Sequence, residues 1–284
     1  MEMLRLPAHA TPFDRLWHVL FLGLCGGFLL FLIAPILVIV PLSFNAHAYF
    51  SFSEGMLTLD PAAYSFRWYR AVAGSDIWRD AILNSVAIAA VSTAIATLLG
   101  TLAALGLARA DLPGRNTIMA LLISPLIVPL IITGAGIYFV YAKLGLVGSF
   151  AGVVLAHAAL GAPFVVITVT ATLAGFDRSL SRAGASLGGN PVTVFRRITA
   201  PLILPGIASG AVFAFGNSFD EIIVVLFIGS VHQQTVPRQM WSGLREELSP
   251  AILAVATILV AMSVLLLIAV ELLKRRSARL RGAT

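Results

Sequence analysis

Six long apolar runs limit what this chain can fold into more than any other feature of its sequence. Each run is near or above the roughly 20 residues that an α-helix needs to cross a bilayer. They cover residues 17–42, 81–108, 117–142, 150–173, 202–228 and 250–273. Charged residues make up only 11% of the 284 residues, whereas soluble proteins carry about 25%. We therefore expect an all-α, polytopic membrane protein with six transmembrane helices.

The first run is expected to be a retained helix. It is longer than the apolar core of a secretory signal, and no small-residue cleavage pattern precedes Pro41. It also contains the single cysteine, Cys25, so no disulfide can form within the chain. Packing of a small residue is the simplest interpretation of that cysteine.

The distribution of basic residues predicts an orientation. If the N-terminus is cytoplasmic, 13 of the 19 Lys and Arg residues fall on the cytoplasmic side and 6 on the other. Because short cytoplasmic loops are enriched in these residues, we expect both termini in the cytoplasm. The net charge of +6 then reflects membrane topology rather than binding to nucleic acid.

The segment between the fourth and fifth runs is polar, basic and longer than a chain reversal requires. Residues 181–187 have helix-forming composition, and Gly188 and Gly189 interrupt them. Pro191 suits the first turn of a second short helix, because its missing N–H is not needed there. The segment is therefore predicted to form a helix-turn-helix on the cytoplasmic membrane surface.

At these residues the sequence resembles the cytoplasmic loop of the membrane subunits of bacterial binding-protein-dependent ABC importers. The family pattern is Glu-Ala-Ala, three residues, Gly, nine residues, Ile, one residue and Leu-Pro. This chain has the same spacing, and the corresponding positions are Arg182, Ala183, Gly184, Gly188, Ile198, Ala200 and Pro201. Arg182 stands where the family has Glu, Gly184 where it has the second Ala, and Ala200 where it has Leu. The resemblance extends over residues 71–273 and includes a likeness to polyamine and opine permeases.

The resemblance implies the type I ABC importer permease fold in a multi-pass protein of the bacterial inner membrane. It predicts one permease domain over residues 1–284, with a core at 71–273 and a coupling loop at 177–201. The coupling residues that it implies are Arg182, Ala183, Gly184, Gly188, Gly189, Phe195, Ile198 and Pro201. The implied partners are a second permease subunit, a dimer of cytoplasmic ATPase subunits that binds ATP and Mg, an external solute-binding protein and membrane lipid. Among such relatives the second permease subunit is usually a distinct homologue.

Polar side chains inside the fifth run indicate a translocation path. Asn217 lies three and four residues before Asp220 and Glu221, so the three can share one helical face, although the two acids diverge by about 100°. Charged side chains are costly in a bilayer and tend to face a cavity, a partner or a pathway. The predicted pathway residues are Asp220, Glu221, Asn217, Phe213 and Tyr138, the aromatic rings acting through cation–π contacts. Pairing of the acids with an arginine or with a partner helix is the alternative.

Other features have weaker interpretations. His157 in the fourth run is interpreted first as a packing residue, with a role at the substrate as the alternative. The GxxxG spacings at 23–27 and 206–210 allow close helix approach. The aromatic residues of segment 43–80 favour the outer interface, and the polar segment 229–249 is a candidate contact for an external binding protein.

The sequence lacks the motif of a nucleotide-binding subunit. The two lysines, Lys143 and Lys274, follow Ala142 and Leu273 rather than the glycine that a P-loop requires. We also find no metal-ligand spacing and no nucleophile motif, so the chain is predicted to be non-catalytic and to bind no cofactor. The expected function is that of a permease subunit for a small cationic solute such as spermidine, putrescine or an opine. An ion-coupled secondary transporter that uses Asp220 or Glu221, and a scaffold or sensor that transports nothing, are the alternatives.

Overall fold

The computed structural model describes residues 11–108, 112–246 and 249–280, and these residues are almost entirely helical. The α-helices are α1 (Pro12–Leu42), α2 (Glu54–Leu57), α3 (Arg67–Ala73), α4 (Asp76–Leu107), α5 (Arg115–Ile127), α6 (Leu130–Leu144), α7 (Phe150–Ala174), α8 (Arg178–Ser186), α9 (Pro191–Val194), α10 (Ala200–Asp220), α11 (Ile223–Ile228), α12 (Val236–Glu246) and α13 (Ala251–Leu280). A π-helical turn, Phe195–Thr199, joins α9 to α10. The predicted all-α class is confirmed.

The predicted number of six spans is not confirmed. Within the described residues, four helices are long and apolar enough to cross a membrane. They are Pro12–Leu42, Asp76–Leu107, Phe150–Ala174 and Pro191–Asp220. The pair α5 and α6 adds a fifth if it is one broken span, and the apolar stretch at the sixth position, Ala251–Leu265, is shorter.

The third predicted span is broken at a proline. Helices α5 and α6 are bent by 104° relative to each other, and the break falls at Val128 and Pro129. Val128 is extended, with φ −71° and ψ 132°, as expected for a residue that precedes proline. Pro125 is accommodated inside α5, so only the second proline ends the helix.

The fifth predicted span has different bounds from those that the hydrophobic run suggests. Its helix starts earlier, because α9, the π-helical turn and α10 form one continuous helix, Pro191–Asp220. It also ends earlier, because Glu221 is extended with ψ 123°. The apolar residues that follow form the separate short helix α11.

Among the described residues, 11–74 and 249–267 form one compact unit. Within it, the segment after α1 folds back through buried polar groups. The Ser43 hydroxyl lies 2.7 Å from the Tyr69 hydroxyl, and the Trp68 indole N–H donates to the Asn45 carbonyl over 2.8 Å. Phe44 packs against the rings of Phe66 and Tyr69. These aromatic residues therefore have partners within the unit.

The described residues 75–108, 112–246 and 268–280 form the second compact unit, whose core is built by α4, α7 and α10. Helix α7 is the central element, because 61% of the residues in its apolar 18-residue stretch are buried. Gly210 lies so close to α7 that an added Cβ would be 2.8 Å from the Val165 Cα and would overlap Thr168. Gly206 is similarly close to Thr172, so the predicted close approach at 206–210 is confirmed. By contrast, nothing lies within 4 Å of an added Cβ at Gly23 or Gly27.

Candidate functional site

The first candidate site is the helical hairpin formed by α8, α9 and the π-helical turn, which we call the coupling hairpin (residues 177–199). Asp177 starts it by accepting hydrogen bonds from the Ser179 backbone N–H over 2.8 Å and from the Ser179 hydroxyl over 2.6 Å. These bonds, the hydroxyl first, hold the pKa of Asp177 below its ordinary value, and the charge of Arg182 adds to the effect. The predicted first helix of the hairpin is therefore present and begins at a carboxylate cap.

The predicted turn is present at Gly188. Its φ of +85° lies in the left-handed region, where only glycine is unstrained. The Gly189 N–H then donates to the Gly184 carbonyl over 3.1 Å, and the Asn190 side chain caps α9 by accepting from the Thr193 N–H over 2.8 Å. Pro191 occupies the first turn of α9, as predicted.

The two arms of the coupling hairpin touch at Gly184 and Ile198. A Cβ added to Gly184 would lie 2.5 Å from the Ile198 Cδ1, so a larger residue here would require the end of the Ile198 side chain to move. The hairpin is thus closed by an apolar contact as well as by its turn.

The second arm continues into α10 through the π-helical turn. There the Ala200 N–H bonds to the Phe195 carbonyl, five residues back. Pro201 follows directly and has no N–H, and its ring would crowd the carbonyl of Arg197 in a regular helix. The wider turn accommodates this proline without ending the helix.

The structure separates the eight predicted coupling residues into four environments. Ala183 and Gly188 are exposed, whereas Gly184 and Ile198 form the contact between the arms. Arg182, Gly189 and Phe195 line a groove, and Pro201 lies at the start of α10. Sequence reasoning missed two exposed apolar residues, Leu180 within α8 and Leu187 directly after it, the second of which is 89% exposed. Their seven-residue spacing places them on one face and was available from the sequence.

The groove beside the coupling hairpin, which we call the basic groove, has a volume of about 910 Å³. The ends of α4 and α7 form one wall, and α8 with the π-helical turn forms the other. Its lining residues are Leu105, Ala108, Leu173, Phe176, Arg178, Ser181, Arg182, Ala185, Gly189, Pro191, Val194, Phe195 and Thr199. Arg178 also donates to the Ala108 carbonyl, which ties α8 to the end of α4.

The second candidate site is the end of α10, where the two predicted pathway acids have different environments. Asp220 is exposed at the last residue of α10. Glu221 is 6% exposed, and its Oε1 accepts a hydrogen bond from the Val224 N–H over 2.9 Å, in the first turn of α11. Asn217 is half-buried one turn earlier. The carboxylate of Asp220 is therefore exposed, whereas that of Glu221 is buried and hydrogen-bonded within the fold.

The two predicted aromatic pathway residues are both exposed in part. Phe213 stacks on Phe164 of α7 with ring centroids 6.3 Å apart. Tyr138 contacts its neighbour Phe139 edge to face at 5.8 Å. Phe213 lies seven residues before Asp220 on α10, whereas Tyr138 is on α6.

Close to Asp220 in the sequence of α10, Ser218 forms a hydrogen-bonded chain with two other buried polar side chains, one from α4 and one from α7. The Ser218 hydroxyl lies 2.9 Å from the Ser92 hydroxyl and 2.8 Å from the His157 Nδ1. Ser92 donates to the Ala89 carbonyl over 3.2 Å, so Ser218 donates to Ser92 and accepts from the His157 Nδ1–H. The His157 Nε2 is then an acceptor, and it has no partner among the described residues.

The segment 229–246 is attached to α4 by hydrogen bonds, and Arg238 donates to the Val225 carbonyl of α11 over 3.5 Å. The Asn84 amide donates to the carbonyls of His232 and Gln234, and the Ser85 hydroxyl accepts from the Val236 N–H over 2.8 Å. Arg238 donates to the Ser230 carbonyl over 2.8 Å, and burial lowers its pKa from the ordinary value. Part of the polarity that made this segment a candidate for an external contact is therefore used within the fold.

Comparison with known proteins identifies the family. The model of the binding-protein-dependent transport system inner membrane component matches residues 97–279. The spermidine/putrescine transport system permease protein PotC of Escherichia coli is 30% identical over 88% of this chain and 93% of its own length. The putrescine transport system permease protein PotI of the same organism is 32% identical over 90% and 89%.

A solved structure shows the same fold. It is that of a bacterial alginate ABC transporter in complex with an alginate pentasaccharide-bound periplasmic protein. The TM-score is 0.69 at 16% identity, and the match covers 93% of this chain and 95% of that chain. At this identity the likeness establishes the fold alone.

The chain therefore belongs to the family of inner membrane components of binding-protein-dependent transport systems. It is a permease subunit of an ABC importer, and such subunits are non-catalytic membrane components. The predicted family, permease fold and inner membrane location are confirmed.

Proposed function

We propose that this chain forms half of the translocation path for a small cationic solute of the polyamine class, such as spermidine or putrescine. The other half comes from a second permease subunit, a distinct homologue. The exposed carboxylate of Asp220 is the observation that carries this proposal. The transport named for the PotC and PotI relatives supports the same class of solute.

Asp220 is suited to attract an amine because it is exposed while its neighbour is not. A carboxylate in a partly desolvated path favours a cation, and the cost of placing it there is offset when the cation arrives. Glu221 has its own partner in the Val224 N–H. Asp220 is then the carboxylate that contacts an amine group of the solute, and Asn217 lies one turn before it on α10.

We further propose that the coupling hairpin docks on a dimer of cytoplasmic ATPase subunits, which bind ATP and Mg. The exposed residues Leu180, Ala183, Leu187 and Gly188 form the contact on this side. The tie from Arg178 to the Ala108 carbonyl and the continuous helix from Pro191 transmit the motion to α4 and α10. Both termini then lie in the cytoplasm, and an external solute-binding protein delivers the solute from the opposite side.

The test compares two matched variants of the acids in the assembled importer. Asp220→Asn removes the exposed charge, so uptake of labelled spermidine or putrescine should fall about tenfold or more, as expected for loss of a charge-assisted contact. Glu221→Gln keeps an acceptor for the Val224 N–H and should transport at close to the rate of the unmodified protein. Equal uptake by the two variants, or uptake that survives removal of the ATPase subunits and stops with an uncoupler, would contradict the proposal.

A further inference from the structure

We propose that the basic groove is a binding site for an anionic phospholipid, whose headgroup phosphate is held by Arg178 and Arg182. This site is separate from the solute path and from the exposed apolar face of α8. The lipid would act as a structural ligand of the coupling hairpin. The proposal does not depend on which solute the importer carries.

The composition of the groove matches a lipid better than a soluble anion. Leu105, Leu173 and Phe176 supply an apolar wall where α4 and α7 end, and Val194 and Phe195 face them from the hairpin. Arg178 and Arg182 are the charged side chains among its described lining residues. A soluble phosphate would use only the arginines, whereas a phospholipid uses the arginines and the apolar wall together. Basic pockets between transmembrane helices at the cytoplasmic side bind the headgroups of anionic lipids.

The position of the groove supports the same ligand. Ala108 and Leu173 are within two residues of the ends of α4 and α7, which are both long and apolar enough to span a membrane. The groove therefore lies at the level where a bilayer ends, which is the level of phospholipid headgroups. A guanidinium group can bind two phosphate oxygens in parallel, and Arg178 and Arg182 are one helical turn apart on α8.

Asp177 is the acidic residue nearest in sequence, and its single negative charge is smaller than the two positive charges of Arg178 and Arg182. Both oxygens of Asp177 already accept hydrogen bonds from Ser179 and cap α8. Arg178 uses part of its guanidinium for the Ala108 carbonyl, and its other N–H groups can donate to a phosphate. A bound phosphate would accept hydrogen bonds from the guanidinium groups of Arg178 and Arg182.

The opposite face of α8 leaves room for an ATPase partner at the same time. Arg178, Ser181, Arg182 and Ala185 line the groove, and these positions follow the three- and four-residue spacing of one helical face. Leu180 and Leu187 project from the other side and are exposed. The two ligands therefore do not compete for the same side of the helix.

The decisive experiment measures lipid retention by native mass spectrometry on the assembled membrane complex. The complex is exchanged into nanodiscs of phosphatidylcholine with or without a quarter of phosphatidylglycerol, and then released into detergent. We expect the unmodified protein to retain phosphatidylglycerol. Arg182→Gln should retain about fivefold less than the control Arg197→Gln, because each arginine near a headgroup contributes about that factor. Arg197 is exposed and basic but does not line the groove.

A second variant tests the apolar wall without changing charge. Ala185→Phe fills the groove beside the arginines and should also lower retention, which a purely electrostatic attraction would not predict. Equal retention by Arg182→Gln and Arg197→Gln would overturn the proposal. So would displacement of the lipid by 10 mM inorganic phosphate, since that result would indicate a soluble anion site.

The remaining outcome concerns the ATPase subunits. If Arg182→Gln weakens their association equally in nanodiscs with and without phosphatidylglycerol, and retention of the lipid is unchanged, then Arg182 contacts the ATPase and the lipid proposal is wrong. If the lipid is retained and depends on Arg182 while transport fails to depend on Asp220, the proposed solute path fails and the lipid site stands. The two proposals are therefore tested separately.

Discussion

The His157 Nδ1 of α7 lies 2.8 Å from the hydroxyl of Ser218 in α10, and both side chains are buried. Ser218 also reaches Ser92 of α4, so a single hydroxyl joins the three helices of the core. It lies two residues before Asp220. The polar contact that holds these helices together is therefore close to the carboxylate that we place in the solute path.

His157→Leu should destabilise the core by about 1–3 kcal/mol, because it removes the donor to a buried hydroxyl. His157→Asn keeps an N–H near the position of Nδ1 and should lose clearly less. The measurement is the thermal unfolding midpoint of the purified protein in detergent. Equal losses in the two variants would show that packing volume, not the bond to Ser218, accounts for the effect.

Glu221→Ala should destabilise the protein by about 1 kcal/mol, because the Val224 N–H loses its acceptor at the start of α11. Glu221→Gln retains an oxygen at that position and should remain close to the unmodified protein. Thermal unfolding of both variants tests this prediction. A larger loss for Glu221→Gln than for Glu221→Ala would mean that the negative charge itself stabilises this site.

Gly188→Val should reduce solute uptake per ATP hydrolysed in the assembled importer. Valine is strained at φ +85°, at a cost of about 1–3 kcal/mol, so the coupling hairpin would change shape. Gly175→Val is the matched control, because Gly175 has φ −90° at the end of α7. The prediction is wrong if the two variants have the same ratio of uptake to hydrolysis.

Gly210→Val should prevent or strongly weaken folding, because its side chain would overlap Thr168 and the backbone of Val165. Gly216→Val lies on the same helix and has nothing within 4 Å of an added Cβ. It should accumulate as a folded protein. Yields of monodisperse protein from size-exclusion chromatography distinguish these outcomes, and equal yields would argue against close packing of α10 on α7.

The coupling hairpin was predictable because its determinants are local. Gly188 is the turn residue, Pro191 starts the second arm, and the spacing from Arg182 to Pro201 matches a family pattern. The length of the second arm was not predictable, since the π-helical turn at Phe195–Thr199 lets the helix continue through Pro201. A hydropathy pattern does not record how a helix accommodates one proline, whereas Pro129 ends α5 outright.

Asp220 and Glu221 also differ in what could be predicted from the sequence and what only the structure showed. Sequence alone indicated that Asp220 and Glu221 diverge and that both are unusual in an apolar run. It did not show that the helix stops between them, because residues 202–228 are continuously hydrophobic apart from a few polar positions. The end of α10 became visible only with the extended backbone at Glu221.

The sequence by itself determined the class of this protein: a helical membrane chain with the coupling pattern of an importer permease. Apolar runs and turn motifs are continuous stretches of the sequence, so they can be interpreted without coordinates. Only the tertiary structure decided that Glu221 is used within the fold, that Ser92, His157 and Ser218 meet, and that two arginines share a groove with apolar helix ends. Those relationships join residues that are distant in the chain, and they depend on which faces of the helices pack together.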